Sequence, residues 1–413
     1  MRDVRPQASN GLRVVMISQG YFPLVGGAER QIAAVSQELV RRGVEVHVVT
    51  RRFPGLLPSE NISGVMVHRM PAPSPKALAS FIFTLTALSL IRRIRPNILH
   101  AHELLSPTTT AVAAGKIFRI PVVATVHGGG EINRLKQKTL GKTRLKIFCS
   151  NVNRFITIDK DIDEQLALEG VPKQRRTGIP NGVDIEHFCP ASAIQKERIK
   201  DRLNLKEGPL VVFTGRLVSL KRVDLLIAAW DNVYQSFPKG KLLIIGTGPE
   251  EPALKRAAYP AQAESADIAN DRGTGIRFLG EIQDVAPYLQ VADLFVLPSS
   301  REGLSVSLLE AMACGLASIA TDVGGNVDLI HHQQTGWLVT GDTSAELSIQ
   351  LAKAMCILLM DEHLRIRIAQ AGRELIAQSY SLASVAKNLH ELYTGLTVVR
   401  PRSLTGDNTG RRK

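Results

Sequence analysis

Short apolar runs alternate with helical patterns along the first half of the chain. The runs predict strands at residues 13–18, 44–50, 98–102 and 122–127 and helices at residues 28–42 and 108–118. A strand, a turn, a helix and a second strand in this order form a βαβ unit with a right-handed crossover and parallel strands. The pattern predicts a doubly wound α/β domain.

The second half repeats this alternation. Apolar runs predict buried strands at residues 210–214, 241–245, 276–279, 294–297 and 318–321. Each run ends at a loop that contains Gly, Pro or Ser. Because ligands of open parallel sheets bind beyond the carboxyl ends of the strands, these loops are expected to carry the chemistry.

The length of 413 residues agrees with two domains, since one hydrophobic core rarely spans so long a chain. Turn signals without periodicity place the boundary near residues 181–190. We predict an N-terminal domain over residues 1–187 and a second domain over residues 188–378. Residues 379–400 are predicted to form a helix that packs back on the first domain, and residues 401–413 a flexible tail.

Positive charge is concentrated in the first half. The formal net charge is +13, and residues 1–180 alone contain 26 Lys and Arg against 12 Asp and Glu. Such an asymmetry indicates a region that meets an anionic partner, or one that serves solubility alone. No basic surface interleaved with aromatic residues accompanies the charge, so a nucleic-acid partner is not expected.

Signals for secretion and membrane insertion are lacking. The 4 cysteines have no spacing suited to a metal, and the N-terminus has no apolar core of a secretory signal, so we expect a cytoplasmic protein. The apolar run at residues 77–91 is shorter than the roughly 20 residues of a membrane span and is predicted to be an amphipathic surface helix.

A basic segment between Arg134 and Lys146 has two interpretations. Its Lys and Arg residues are interleaved with Leu and Ile. This pattern is typical of an amphipathic surface that binds anionic lipid headgroups on the inner face of a membrane. An ordinary solvated helix face has the same pattern.

Glycine-rich loops and cations follow several predicted strands. Gly26 and Gly27 begin a predicted helix, where the backbone can approach a ligand and free N–H groups attract phosphate. Arg216 and Lys221 follow the strand at 210–214 and are suited to a diphosphate. Gly246 opens a similar turn after the next strand. Each signal alone is also explained by an ordinary turn or by surface cations.

The most informative segment leads from the strand at 294–297 into an apolar helix that Gly315 ends. Free N–H groups near the helix start can hold a diphosphate, and the residues concerned are Gly303, Leu304 and Ser305.

Two glutamates of this segment, Glu302 and Glu310, are eight positions apart. On a helix this spacing places them on nearly the same face, about two turns apart. Both carboxylates can then accept hydrogen bonds from the hydroxyl groups of a sugar and a ribose.

With these motifs the chain resembles a retaining glycosyltransferase of family 4 with the GT-B fold. The E-x7-E element from Glu302 to Glu310 is the most specific part of the resemblance. Supporting elements occur in the expected order: Gly26-Gly27-Ala28-Glu29, His127-Gly128, Pro180-Asn181-Gly182-Val183-Asp184, Gly215-Arg216 with Lys221, Gly246-Thr247-Gly248-Pro249, and Asp322-Val323-Gly324-Gly325. The implied architecture is two Rossmann-like domains that face each other across a cleft.

The resemblance also implies roles for single residues. Arg216 and Lys221 would bind the donor diphosphate, Glu302 the transferred sugar, and Glu310 the ribose. His127 would lie on the sugar and acceptor side of the cleft. The implied catalytic residues are Glu302, His127, Arg216 and Lys221, and no metal or other cofactor is expected.

The chain departs from the family pattern at two places. The family usually has Glu after the Asp-Val-Gly-Gly element, where this chain has Asn326 and then Asp328 two positions later. An acidic residue commonly follows the His-Gly pair, whereas here Glu131 comes later. An acidic triplet that begins at Asp159 resembles a metal site, but its place at a predicted helix start favours capping.

The implied activity is transfer of a sugar from a nucleotide-sugar donor to a hydroxyl acceptor, which can be lipid-linked. UDP is the nucleotide that the resemblance favours, and polysaccharide, lipid-linked oligosaccharide and glycolipid synthesis remain open as settings. Two alternatives remain: a nucleotide-sugar epimerase of similar shape, and a nucleic-acid-binding protein that uses the basic half.

Overall fold

Two β-sheets, one from each half of the chain, organise the protein. The computed structural model describes residues 11–23, 26–73, 76–128, 130–205, 207–259 and 273–398. Helices cover both faces of each sheet, because nearly every residue of the central strands is apolar and buried. The predicted doubly wound α/β architecture is therefore confirmed.

The first sheet has eight strands in the order β3-β4-β2-β1-β5-β6-β7-β8, and all neighbours are parallel except β3 and β4. The bounds are β1 Arg13–Ile17, β2 Glu45–Arg51, β3 Ser59–Ile62, β4 Val65–Met70, β5 Ile98–His102, β6 Val122–Val126, β7 Arg154–Thr157 and β8 Arg176–Gly178. Its helices are α1 Gly27–Arg41, α2 Lys76–Ile94, α3 Ser106–Phe118, α4 Glu131–Lys136, α5 Gly141–Asn151 and α6 Lys160–Leu168.

The second sheet has six parallel strands in the order β11-β10-β9-β12-β13-β14. The bounds are β9 Leu210–Thr214, β10 Lys241–Ile245, β11 Ile276–Gly280, β12 Leu294–Leu297, β13 Ala317–Thr321 and β14 Trp337–Val339. Its helices are α7 Ala193–Leu203, α8 Val223–Ser236, α9 Glu251–Ala258, α10 Ala286–Val291, α11 Val306–Ala313, α12 Asn326–Leu329, α13 Ser344–Met360 and α14 Glu362–Ser379.

The last helix, α15 Leu382–Val398, returns to the first sheet. Val385 and Leu389 share a buried cluster with Val14 and Met16 of β1 and with residues of α1. The chain thus crosses between the sheets twice. At the crossing, Val183 donates to Tyr380 O at 2.8 Å and accepts from Leu382 N at 2.9 Å. The predicted tail at residues 401–413 lies outside the described residues.

Helix α2 covers the predicted amphipathic segment, but its outer face is not polar. Phe83 and Ala87 are buried against the first sheet. On the opposite side Leu78, Phe81 and Leu85 are 45%, 61% and 50% exposed. The amphipathic prediction was therefore wrong, because both faces of the helix are apolar. Within the described residues, no helix is long and apolar enough to cross a membrane.

Candidate active site

The strand-end loops of both sheets meet around one cavity of about 660 Å³. This volume lies in the range of small-molecule sites. The lining includes every site residue that the sequence predicted: Gly26, Gly27, His127, Arg216, Lys221, Gly246, Glu302, Gly303, Leu304, Ser305 and Glu310. Residues that are distant in sequence are thus brought together at a cleft between the two domains.

Lys221 and Glu302 form an ion pair inside this cavity. Lys221 Nζ and Glu302 Oε1 are 2.5 Å apart, and the two side chains are only 20% and 9% exposed. Lys221 ends a short 3-10 turn after β9, and Glu302 lies on the loop after β12. Arg216 lines the same cavity and is solvent-exposed. The cavity therefore presents an accessible guanidinium beside a cation that is already paired.

The helical-face argument for Glu302 and Glu310 was wrong. Helix α11 begins at Val306 with Ser305 as its N-cap, so Glu302 precedes the helix. A Cβ on Gly324 would lie 2.0 Å from Glu302 O, so the loop that carries Glu302 is packed directly on the loop after β13. This tertiary contact, rather than helical spacing, holds Glu302 at the cavity that Glu310 lines from α11.

Glu310 is a buried carboxyl on the inner side of α11. It is 9% exposed, and burial raises its pKa to about 7. Arg30 of α1 lowers this pKa through its charge, whereas Asp284 raises it. Arg30 belongs to the first domain and lines the cavity, so a cation faces Glu310 from across the cleft.

The glycines of the site serve two different purposes. A Cβ on Gly27 would meet no atom within 4 Å, so the first turn of α1 is open to the cavity. A Cβ on Gly246 would lie 1.9 Å from Gly215 O, with Gly246 at φ +132. The close approach at Gly246 is therefore between two loops of the protein, although Gly246 also lines the cavity.

His127 occupies the first-domain side of the cavity, directly after β6. Burial lowers the pKa of His127 to about 4, so the ring is neutral near pH 7. Its backbone N–H donates to Glu131 Oε1 at 2.9 Å, and Leu104 N–H donates to the second carboxyl oxygen of Glu131 at 3.0 Å. Glu131 therefore fixes the loop that carries His127. Burial raises the pKa of Glu131 to about 7.

Two polar contacts join the domains near the cavity. Asn181 donates from its amide to Leu304 O at 3.1 Å. Asp328 Oδ1 forms an ion pair with Lys160 Nζ at 3.1 Å, and Asp328 Oδ2 accepts a hydrogen bond from Lys160 N at 3.3 Å. The departure from the family pattern at Asp328 thus places a carboxylate at the domain contact.

The acidic triplet is a helix cap, as predicted. Asp159 is the N-cap of α6 and accepts from Ile162 N at 2.8 Å. Asp163 pairs with Arg176. Within the described ranges, no group of His, Cys, Asp and Glu is arranged to hold a metal ion.

Two family models match the chain, one in each domain. The model for glycosyltransferase family 4 matches residues 25–187, and the model for glycosyl transferases group 1 matches residues 208–361. The chain belongs to glycosyltransferase family 4. The resemblance predicted from the motifs is therefore confirmed.

This glycosyltransferase is similar to relatives over most of its length. It is 24% identical over 430 residues to a D-inositol 3-phosphate glycosyltransferase of Xylanimonas cellulosilytica, covering 95% of this chain and 99% of the relative. It is 26% identical over 329 residues to an alpha-monoglucosyldiacylglycerol synthase of Acholeplasma laidlawii, covering 75% of this chain and 80% of the relative.

A solved structure shows the same fold. Anabaena HepE in complex with UDP-glucose superposes with a TM-score of 0.74 at 18% identity, covering 93% of this glycosyltransferase and 100% of that chain. The predicted GT-B fold is confirmed by such neighbours and by the two facing parallel-sheet domains.

The sequence patterns did not predict several residues that line the cavity of this glycosyltransferase. Glu281 and Ile282 follow β11 directly, and Val285 precedes α10. A sequence signal for these residues was present, because ligands bind beyond the carboxyl ends of parallel strands and this applies to β11 as it does to β9 and β10. Arg30 had no comparable signal, since its place opposite Glu310 depends on how the domains face each other.

Proposed function

We propose that the protein is a retaining glycosyltransferase that moves a hexose from a UDP-linked donor to a hydroxyl acceptor. The observation that carries the proposal is the convergence of Arg216, Lys221, Glu302 and Glu310 on one cavity between the domains. The cations and helix starts suit a diphosphate, and the carboxylates suit sugar hydroxyls.

In this proposal the donor lies along the second domain. Glu310 accepts hydrogen bonds from the ribose hydroxyls, and the apolar Ile282 and Val285 offer a surface to the base. The diphosphate lies between Arg216, Lys221 and the backbone N–H groups before α11. Glu302 contacts the transferred sugar and, through its ion pair, positions Lys221.

The reaction follows from this placement of charge. The acceptor hydroxyl attacks the anomeric carbon from the face that the diphosphate leaves, so the anomeric configuration is retained. The bond from the anomeric carbon to the diphosphate oxygen breaks, and the acceptor proton passes to the diphosphate. Arg216 and Lys221 stabilise the negative charge that develops on the leaving group.

The acceptor lies on the first-domain side, where His127 lines the cavity. One relative is named for D-inositol 3-phosphate and the other for a glucosyldiacylglycerol. These names support an acceptor that carries a phosphate or a lipid, as in glycolipid synthesis.

The test is a screen of UDP-, GDP- and ADP-sugars for thermal stabilisation and for transfer to polyol phosphates and diacylglycerol acceptors. Transfer from a UDP-hexose with a retained anomeric configuration supports the proposal. Release of a free 2-epimer without any acceptor would establish the epimerase alternative instead. Salt-dependent DNA binding without turnover of any sugar nucleotide would support the nucleic-acid alternative.

We infer further that the protein works on an anionic membrane surface. The basic segment between Arg134 and Lys146 comprises the end of α4, a turn and the start of α5. Leu135 and Leu145 are buried in the core and Lys136 pairs with Glu169, whereas Leu140 is 72% exposed, so the segment alone offers only a small apolar surface.

A larger face supports the membrane proposal better. Helices α2, α3 and α5 lie side by side on one face of the first sheet. They contain three, one and three Lys or Arg residues and no Asp or Glu. By contrast, α1 and α15 on the opposite face carry charges of both signs. We call the first surface the cationic face.

The cationic face also exposes apolar side chains. To the α2 stripe of Leu78, Phe81 and Leu85 it adds Ile117 of α3, 60% exposed, and Ile147 of α5, 42% exposed. Exposed apolar groups that share one face mark interaction surfaces, and helices with Lys and Arg but no Asp or Glu fit anionic lipid headgroups. The proposed partner is therefore a bilayer that contains anionic lipids.

A further inference from the structure

Three histidines of the first domain form a line that leads from the interior to the cavity. His100 and His102 lie on β5, and His127 follows the neighbouring strand β6. His102 Nδ1 and His127 Nε2 are 3.0 Å apart. Of the three rings, only that of His127 lines the main cavity.

The ring of His100 is held on both sides. Its Nδ1 is 2.6 Å from Tyr393 Oη, and its Nε2 is 2.7 Å from Thr125 Oγ1. The ring centroids of His100 and His102 are 4.1 Å apart. His102 is therefore packed against a neighbour that cannot rotate without breaking two hydrogen bonds.

The ring of His102 has one bonded nitrogen and one without a partner. His102 is 5% exposed, and within the described residues its Nε2 has no hydrogen-bond partner. A buried N–H without an acceptor is rarer in native proteins than an acceptor with an unused lone pair. The single proton of a neutral His102 ring is therefore expected on Nδ1, where His127 Nε2 accepts it.

Both rings are neutral, because burial lowers the pKa of His102 well below its ordinary value and that of His127 to about 4. A hydrogen bond between two neutral rings needs one donor and one acceptor. If His127 Nε2 accepts, the proton of His127 lies on Nδ1. For the part of the chain that the structure describes, no protein atom is hydrogen-bonded to that nitrogen.

We propose that His102 is a positioning residue that fixes His127 in the Nδ1–H tautomer. His127 then presents an N–H to the cavity and donates a hydrogen bond to an oxygen of the sugar or the acceptor. It does not act as a general base. The identity of that oxygen rests on the proposed glycosyl transfer, whereas the tautomer is a property of the protein alone.

The direct test is ¹⁵N NMR of the histidine ring nitrogens at pH 7, with the His127 signals identified from the spectrum of H127N. We expect a protonated Nδ1 and a bare Nε2 in His127 of the wild-type protein. A protonated Nε2 would overturn the proposal. This measurement needs no substrate, so it remains decisive even if the screen of sugar nucleotides finds no transfer.

Two near-isosteric variants test the role in turnover. Asn in H102N can still donate to His127 Nε2, whereas the carboxylate of H102D can only accept. We expect H102N to keep kcat within about threefold and H102D to lose about tenfold or more, which is the effect of one hydrogen bond. KM for the donor should change little in either variant.

Thermal unfolding establishes that both variants are folded. A third variant, H102L, removes the hydrogen bond without adding charge and should lower kcat as H102D does. The proposal is wrong if H102D and H102L retain the kcat of H102N, or if His127 keeps the wild-type tautomer in H102L.

Discussion

Lys221 Nζ and Glu302 Oε1 are 2.5 Å apart, so the cation assigned to the donor diphosphate is paired with the carboxylate assigned to the sugar. Both side chains are largely buried, where such a pair is held more rigidly than on the surface. The two residues are therefore expected to act as one unit.

Replacing Lys221 by Met or Glu302 by Gln should lower kcat by about 10²- to 10³-fold. Each change removes a positive charge, or the group that orients it, from the place where negative charge develops on the leaving group. The K221M/E302Q double variant should lose little more than either single variant, since the residues act together. Steady-state kinetics of all four proteins measure the coupling.

The matched controls are E207Q and K239M, which break a pair of the same chemistry at 3.3 Å whose side chains are 69% and 75% exposed. They should leave kcat unchanged, because exposed pairs contribute little. Strictly additive losses in the K221M/E302Q cycle would contradict a joint role.

Glu310 should make stability depend on pH. Its folded pKa of about 7 lies above the unfolded value of 4.5, so the unfolded state releases this proton first as pH rises. Wild-type stability should therefore fall, relative to E310Q, between about pH 4.5 and 7. Above pH 7 the loss of unfolding free energy of the wild type, relative to E310Q, should reach roughly 3 kcal/mol.

Thermal or urea unfolding of the wild type and E310Q from pH 5 to 8 measures this difference. The affinity for UDP should change with pH in the opposite direction to stability, because ribose hydroxyls donate hydrogen bonds to the ionised carboxylate of Glu310. Wild-type affinity should rise from pH 6 to 8, and E310Q should bind weakly at both. A stability difference that does not vary with pH would show that Glu310 is not buried as described.

Gly324 should be required for the position of Glu302. A Cβ there would lie 2.0 Å from Glu302 O, and the backbone has φ +49. G324A should therefore cost roughly 2 kcal/mol or more in unfolding free energy and lower kcat by displacing the loop.

Gly43 offers the control, because it has φ +82 but a Cβ added there would meet no atom within 4 Å. G43A should cost about 1 to 2 kcal/mol, the strain of a side chain at positive φ, and leave kcat unchanged. Equal kcat values for G324A and the wild type would exclude this role of the loop contact.

The α2 stripe should be needed for membrane binding. Binding is measured by flotation with vesicles that contain anionic lipids. The F81S/L85S variant should lower the apparent affinity for these vesicles at least about tenfold, because it removes apolar groups from the cationic face. Neutral vesicles should bind the wild-type protein weakly.

The control is I194S/I366S, which changes two exposed apolar residues of the second domain, 69% and 46% exposed. It should bind like the wild type. Equal binding of the wild type to neutral and anionic vesicles would remove the membrane proposal, and a loss of self-association in F81S/L85S would identify a second copy as the partner instead.

Local sequence signals predicted nine of the described strands, because buried parallel strands are continuous apolar runs and their strand-end glycines are distinctive. They did not predict β3, β4, β7, β8 and β14. Gly315, at φ +70, ends α11 as the pattern indicated. The spacing of Glu302 and Glu310 failed as a helical argument because the helix starts only at Val306. The family resemblance, and not the helical geometry, named the two carboxylates that line one cavity.

Contacts that depend on strand order and on how the domains meet could not be predicted from the sequence. The pairing of β5 with β6 sets His102 opposite Thr125 and brings it to His127, a relation that depends on strand order. Likewise, Arg30 faces Glu310 only because two separately folded sheets meet. Burial then shifts the pKa values of Glu310 and Glu131, which no local pattern reveals.

The two chain crossings also limit how the enzyme can move. Val183 is hydrogen-bonded to both Tyr380 and Leu382, so the outgoing and returning segments are joined side by side. A joint of two parallel chains resists twisting and sideways sliding more than a single linker does. We therefore expect the domains to turn mainly about this joint, so that substrates can enter while the two halves of the site stay in register.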